Sequence, residues 1–596
     1  MRALGALGLV LLLAGTARAH ELGRLERQAL DDALALRGLQ VDPAPQGKTI
    51  GQVQVVTLEV FSSRDWYFQV FNVFHRTTRE GMIRREALFA AGQPYDQAVV
   101  DETWRNLQHP DLSSAVVIVP VKSATPGTVD VLIVTRDVWS LRLNTEFEVQ
   151  GSGFPVFGSN SRLLSLSTSL SENNLFGWRK QAAFVLDMDQ GAIAIGPTYI
   201  DRNIAGTRLT LTSSVRALLS RQGGRPEGSS SSTVLRYPLF SLASKWGAVA
   251  SVSHSNGVVR RFLEDNLRPV DFPDTPDKER FPWIYRMKTF STGAGVTRSF
   301  GRRVIERVGG GYAYSVVRPS FTPEFPDDPV AKAQFARQIF PPSERISDVY
   351  VSYSLFTPRY LTYRDLDTFD LSEVRTLGPS ASSTLARGAR FLGSDRDFLS
   401  LSGSAGWTFS LGGGLQSVSA GWSGRVYGGG HLQDQTYSAG LYAASPVLAR
   451  VLRVIGSAGA GALVDDTRNS YYALGGDSGL RGYSVGDLLG KAQFIGHLEA
   501  RTMALPVASL RLGGVVYYDV GDAGSPPPGT GSGPARAVRE VVNLHPKSDV
   551  GLGMRLLIPQ LNTYVLRFDW AFALQSTPHT RAGLPGRFSF GFRQVF

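Results

Sequence analysis

Residues 564–574, YVLRFDWAFAL, carry an apolar side chain at every second position, Tyr564, Leu566, Phe568, Trp570, Phe572 and Leu574, opposite Arg567 and Asp569. A period of two marks a strand with one apolar and one polar face. The same theme, divided by Gly, Pro, Asn and Asp turns, recurs from Leu141 to Phe596. Segments 162–171, 209–218, 248–254, 351–355, 398–409, 418–427 and 454–463 are further strand candidates. In a soluble sandwich the apolar faces meet in a core. In a membrane barrel they face lipid and the polar faces line the lumen. Periodicity alone does not separate the two.

Other features favour the barrel. Residues 1–19 combine Arg2, an apolar run over 3–14 and the Ala17-Arg18-Ala19 cleavage pattern of a secretory signal peptide. No cysteine stands at the cleavage point or anywhere else, so neither a lipid anchor there nor disulfides are expected. No later apolar run is long enough for a spanning helix. The formal charge of +11 is spread along the chain and does not argue for nucleic acid. Segments 261–282, 319–345 and 523–546, rich in Pro, Asp and Lys/Arg, read as extramembrane loops.

Residues 474–487, LGGDSGLRGYSVGD, fit neither period. Gly475, Gly476, Gly479 and Gly482 surround Asp477, Arg481 and Tyr483, which suggests a loop folded back onto an acceptor. Strand parity supplies two. In 493–502, His497, Glu499 and Arg501 share the polar face; in 509–521, Ser509, Arg511, Tyr517 and Asp519 do so. Glu499 and Asp519 therefore project to one side from neighbouring strands, within reach of Arg481 for carboxylate pairing.

The strings GLRGY (479–483), LEART (498–502) and YYDVG (517–521), in this order, resemble the BamA/TamA superfamily of outer-membrane protein assembly barrels, the bacterial surface antigen barrels with POTRA (polypeptide-transport-associated) domains. The resemblance implies a mostly β fold, a transmembrane antiparallel β-barrel of about 16 strands, five of them after the central loop. Before that loop there are more candidate strands than the remaining eleven, so either some lie in extramembrane hairpins or the barrel is larger. It implies that Gly479, Arg481, Gly482 and Tyr483 form a loop motif tucked into the lumen, with Glu499 and Asp519 as its acidic partners. Residues 172–177, ENNLFG, resemble the family's early hairpin turn. At the C-terminus Phe588, Phe590, Phe592 and Phe596 resemble its sorting strand, with Gln594 where an apolar residue is usual.

Before the barrel, residues 20–49 are expected to form a helix (Leu22, Leu25, Leu34, Leu36 and Leu39 among charges) and a linker broken at Pro43 and Pro45. The helix is read either as a plug or, preferably, as resting on the next domain. Residues 50–140 read as one small α/β domain: a strand at 52–61, helices at 77–91 and 97–108, and strands at 114–121 and 128–135. That order, with the Gly92-x-Pro94-Tyr95 joint, resembles a single POTRA domain, which implies client capture along an exposed sheet edge. Residues 141–596 are the barrel.

Two catalytic patterns carry little. Gly476-Asp477-Ser478-Gly479 imitates a serine-hydrolase surround but lies in the arginine loop with no assignable base. Residues 486–491 fall one residue short of a phosphate-binding loop and precede a strand. The chain is expected to be non-enzymatic and to need no cofactor or metal. Expected partners are outer-membrane lipids, unfolded or β-rich client proteins, and periplasmic chaperones or accessory proteins. The expected place is the bacterial outer membrane, with the N-terminal domain in the periplasm. The function implied is insertion or translocation of β-rich polypeptides. The alternatives are a dedicated two-partner-type secretion pore, whose relatives usually have two POTRA domains, and a passive surface-antigen or porin barrel.

Overall fold

The computed structural model describes residues 22–594 apart from 151–161, 264–265, 273–279, 477–478 and 526–532. The expected leader, Asp477 and Phe596 lie outside the described residues.

The N-terminal part is a three-stranded sheet with Thr128–Asp137 in the middle, parallel to Thr49–Leu58 and antiparallel to Ser113–Lys122. Helices Glu80–Glu86 and Gln97–Leu107 cover one face through Ile83, Val100, Trp104 and Leu107 against Ile50 and Ile133. Helix Arg24–Arg37 covers the other. Its Leu25, Ala29 and Ala33 recur every four residues, so one stripe meets Val56, Val117, Leu132 and Val134. It rests on this sheet and does not plug the barrel. Gly38 ends it at φ 63°.

The helix expected over 77–91 is confined to Glu80–Glu86, because Ala87 is already extended and the Leu88 amide bonds to the Thr103 hydroxyl at 3.1 Å. The free edge expected for client capture is also partly occupied. Along Ser113–Lys122, Asp42 N–H donates to the Pro120 carbonyl at 3.0 Å, and Lys122 N–H donates to that of Gln40 at 2.9 Å. The Trp104 indole takes the Val116 carbonyl, and Pro120 has no N–H to offer. On the opposite edge, residues 92–95 exchange backbone bonds with Lys48 and Ile50.

The remaining strands close into one antiparallel barrel from Leu141–Gln150 to Arg587–Phe592. Two of them are interrupted, Glu344–Phe356 continuing as Arg359–Tyr363 and Ala492–Thr502 as Leu505–Val507. Counted this way the barrel has 20 strands, not the expected 16 or so. Five follow the central loop as expected; the excess lies before it. Alternation there is diluted by Ser and Gly in strands such as Pro226–Tyr237 and Glu373–Gly388, and the per-strand signal of a barrel is weak. Leu143, Val215, Val351, Val516 and Leu552 point outward and are exposed, whereas Arg501, Arg511 and Arg555 point inward and are buried. An apolar exterior around a charged interior is the inverse of a soluble core and suits a bilayer.

Both ends carry structure beyond the strands. At one end the N-terminal domain meets the strand-connecting turns: Glu26 takes Arg364 and Ser372, Arg142 takes Asp111, and Asn174 donates to the Arg76 carbonyl. At the far end the three expected loops carry structure of their own, including helices Pro329–Gln338 and Gly533–Val542. Phe272, Phe281, Trp283, Phe325 and Phe335 form a shared aromatic core between two of them, with Tyr471 of the central loop packed against it.

Candidate functional site

The central loop leaves strand Leu452–Val464 at the far end, turns down into the lumen and returns to Ala492–Thr502. Its glycines allow the descent. Gly479 has φ 138°, and a Cβ there would sit 1.9 Å from the Ile495 side chain. Gly482 has an ordinary φ but no room: a Cβ would lie 2.7 Å from that of Asp549 and 2.8 Å from the Ala573 nitrogen. The absent side chain lets the loop backbone lie directly on the wall, where Gly482 N–H donates to Asp549 at 3.0 Å.

Arg481 projects from this approach with its side chain almost fully buried. Nε and Nη2 engage the two oxygens of Asp519 at 2.7 and 2.8 Å, and Nη1 reaches Glu499 at 2.8 Å and Asp569 at 3.5 Å. The Tyr517 ring stacks on the guanidinium, 3.4 Å from Cζ to centroid. The fork is thus saturated by acids and covered by an aromatic face, an arrangement that Lys cannot reproduce. Tyr483 inserts alongside, its hydroxyl within 3.0 Å of the Ser548 and Gln575 carbonyls.

The structure therefore places Gly479, Arg481, Gly482 and Tyr483 on the inner wall with Glu499 and Asp519. It also brings in groups that parity reasoning did not assign to the site. Arg501 holds the second oxygen of Glu499 at 2.7 Å, and His497 meets Asp519 at 2.9 Å. Arg555 and Arg567 hold Asp569 at 2.6 and 3.2 Å. Glu499, Asp519 and Asp569 are thus each in contact with at least one of the guanidiniums of Arg481, Arg501, Arg555 and Arg567, while Asp549 takes the Gly482 N–H. Such pairing is what makes buried charge tolerable. The loop fastens four consecutive strands, Ala492–Thr502, Leu510–Gly524, Lys547–Leu557 and Leu566–Ala573, into one block. Among the described residues of this cluster no side chain is placed as a nucleophile with its base; Ser478 lies outside the described residues. Lys491, the lysine of the abortive phosphate-loop pattern, is held by Asp466 and the Ser470 carbonyl.

One strand beyond that block the barrel closes. Among the described residues Arg587–Phe592 and Leu141–Gln150 pair at three positions, Phe588 with Val149, Ser589 with Glu148 and Phe590 with Phe147. By contrast Leu141–Gln150 pairs at ten positions with Arg162–Glu172, and Arg587–Phe592 at six with Leu566–Ala573. Phe147 and Phe590 stack outside at 4.7 Å, and an Arg587–Glu148 ion pair closes the lumen side. Phe588, Phe590 and Phe592 share the outer face. The strand stops at Phe592 because Arg593 turns to φ 73°, and this sends Gln594 inward to accept from Arg555 Nε at 2.9 Å. That geometry accounts for a polar residue where the sorting pattern has an apolar one.

No protein-family model and no curated protein matches the chain. Among solved structures it is similar to BamA from Haemophilus ducreyi lacking POTRA domains 1-3, with 13% identity, 91% of this chain and 85% of that chain covered, and a TM-score of 0.35. It is also similar to CdiB from Escherichia coli (11%, 92% and 77%, 0.39) and to CdiB from Acinetobacter baumannii (11%, 97% and 99%, 0.37). What this barrel does must come from its own residues.

Proposed function

We propose that this chain is an outer-membrane barrel that inserts or translocates β-rich polypeptides, with 1–19 a cleaved leader. Residues 50–140 are a POTRA-like unit on the periplasmic side that receives clients. The observation that carries the proposal is the contrast between the three-pair seam and the braced block beside it. Backbone groups in a bilayer must be hydrogen-bonded, so a barrel edge that opens has to accept a new strand. A short seam opens at the smallest cost, and a block pinned through Arg481 keeps the neighbouring wall in shape while it does. The protein acts without a cofactor and without catalytic chemistry. For a client strand to pair along the whole of Ser113–Lys122, residues 40–42 must first give way.

A passive porin would not need the buried arginine loop. Depletion followed by quantitative outer-membrane proteomics tests the reading. Loss of many barrel proteins supports assembly. Loss of one secreted protein with an intact barrel complement points to a dedicated export pore, and no change at all overturns both.

A further inference from the structure

The segment between the first strand of the N-terminal domain and helix Glu80–Glu86 has no place in the readings above. It consists of two short 3-10 turns, Ser63–Asp65 and Gln69–Phe74. It is a built element: Asn72 cross-links it to Phe61 in both directions, at 2.9 and 3.2 Å, and Phe61 and Phe71 pack on Trp139. Yet Trp66, Val70, Val73 and Phe74 are 76, 64, 81 and 72% exposed. Val70 and Val73, three apart, share one side of the second 3-10 turn, with Phe74 and Trp66 exposed at its ends, and a built loop that offers such side chains to water implies a partner for them.

The loop's position identifies the partner. Ser509 connects strand segments Leu505–Val507 and Leu510–Gly524 at the rim, and it donates through its hydroxyl to Asp65 and through its N–H to the Tyr67 hydroxyl, at 2.7 and 3.2 Å. Leu505 and Val507, on the outward face of that rim, are themselves exposed. Further round, the turn that follows Arg162–Glu172 exposes Phe176 and Trp178, and Arg79 stacks on Trp178 at 4.2 Å. The aromatic loop thus sits at the rim, against the turn at Ser509 and against Trp139, which leads into the first barrel strand, Leu141–Gln150. Arg64, Arg76 and Arg79 are exposed around it. Aromatic side chains with basic neighbours at the edge of a spanning element are the composition of a membrane interface.

We infer that residues 66–74 are a lipid anchor: Trp66, Val70, Val73 and Phe74 insert into the leaflet at the N-terminal-domain end, and the flanking arginines meet lipid phosphates. The domain is then held to the bilayer as well as to the barrel, on the side where the barrel closes.

Because the chain has no cysteine, single-cysteine variants can carry an environment-sensitive fluorophore without background. The full chain, reconstituted in phosphatidylethanolamine–phosphatidylglycerol vesicles, would be labelled at Val70→Cys or Val73→Cys. Ala124→Cys, on an exposed hairpin of the same domain, and Val516→Cys, on the barrel exterior, serve as references. The expected result is strong quenching of positions 70 and 73 by lipids brominated near the headgroup, with several-fold less iodide quenching than at 124. Iodide access at 70 and 73 equal to that at 124, with lipid quenching seen only at 516, overturns the anchor and leaves the barrel reading intact. Shielding of 70 and 73 that appears only after a periplasmic protein is added overturns it too, by making the face a protein-docking surface. Absence of lipid quenching at 516 as well overturns both.

Discussion

Removing one side chain tests whether the central loop braces the wall. In Arg481→Ala, Asp519 loses both of its short guanidinium contacts and Glu499 loses one. Breaking a buried pair by deleting one partner costs about 3–5 kcal/mol. Arg501 still holds Glu499 and His497 still holds Asp519, which places the loss near the low end, about 3 kcal/mol, or roughly a hundredfold in the folding equilibrium. Urea unfolding of the reconstituted barrel, followed by tryptophan fluorescence, reads that difference, and limited proteolysis within 475–491 reports whether the loop has left the wall. Adding Asp519→Asn should recover part of the loss, because the stranded charge is then gone; pairs in direct contact couple by about 0.5–3 kcal/mol. Stability within about 0.5 kcal/mol of the parent, with the loop still protected, would refute the bracing account.

Gly482→Ala should be destabilising by about 1–3 kcal/mol through overpacking alone, since its methyl would meet Asp549 and the Ala573 backbone. It should also raise protease cleavage of the loop in otherwise folded barrels. The junction of domain and barrel should depend on pH through His109, whose pKa is pushed down to about 4, first by burial and then by the charge of Arg202. A histidine depressed in the folded state binds its proton more readily when released. The junction should therefore be firm above about pH 6.5 and weaken as the pH falls from there towards 4. Proteolytic release of the domain across that range should show this, and His109→Gln should flatten the profile.

Much of the site was legible because strand parity is a strict period. Two short strings sufficed to put Glu499 and Asp519 on one side, and the structure brings both to Arg481. The wider cluster was written in the same parity. Arg501 and His497 share the face of Glu499, and Asp569 had been read as polar-facing in its own strand. What the sequence lacks is lateral register, so Arg555 and Asp549 gave no sign of lying beside them. An excess of strand candidates before the central loop was visible, but not which of them join the barrel wall. Stretches such as 226–237, with four consecutive serines, show no alternation, because a lipid-facing position needs only to be tolerable to lipid. The occupied edge of Ser113–Lys122 was hidden because its cover, residues 40–42, reads as the end of a helix and a proline-broken linker and joins the edge chiefly through backbone bonds. The aromatic loop at 62–76 went unread in the sequence because it follows no period, and only its hydrogen bonds to the barrel rim give it a place.

The central claim is that the seam between the first and last strands opens for a client. Phe147 and Phe590 face each other across it, and in a chain without cysteine the double variant Phe147→Cys/Phe590→Cys can form only that one intramolecular bridge. Reconstituted in vesicles and offered an unfolded barrel client, the oxidised protein should insert none, the reduced protein should insert it at the rate of the single-cysteine variants, and added reductant should restore the oxidised sample. Insertion at equal rates with the seam bridged and open would contradict the account.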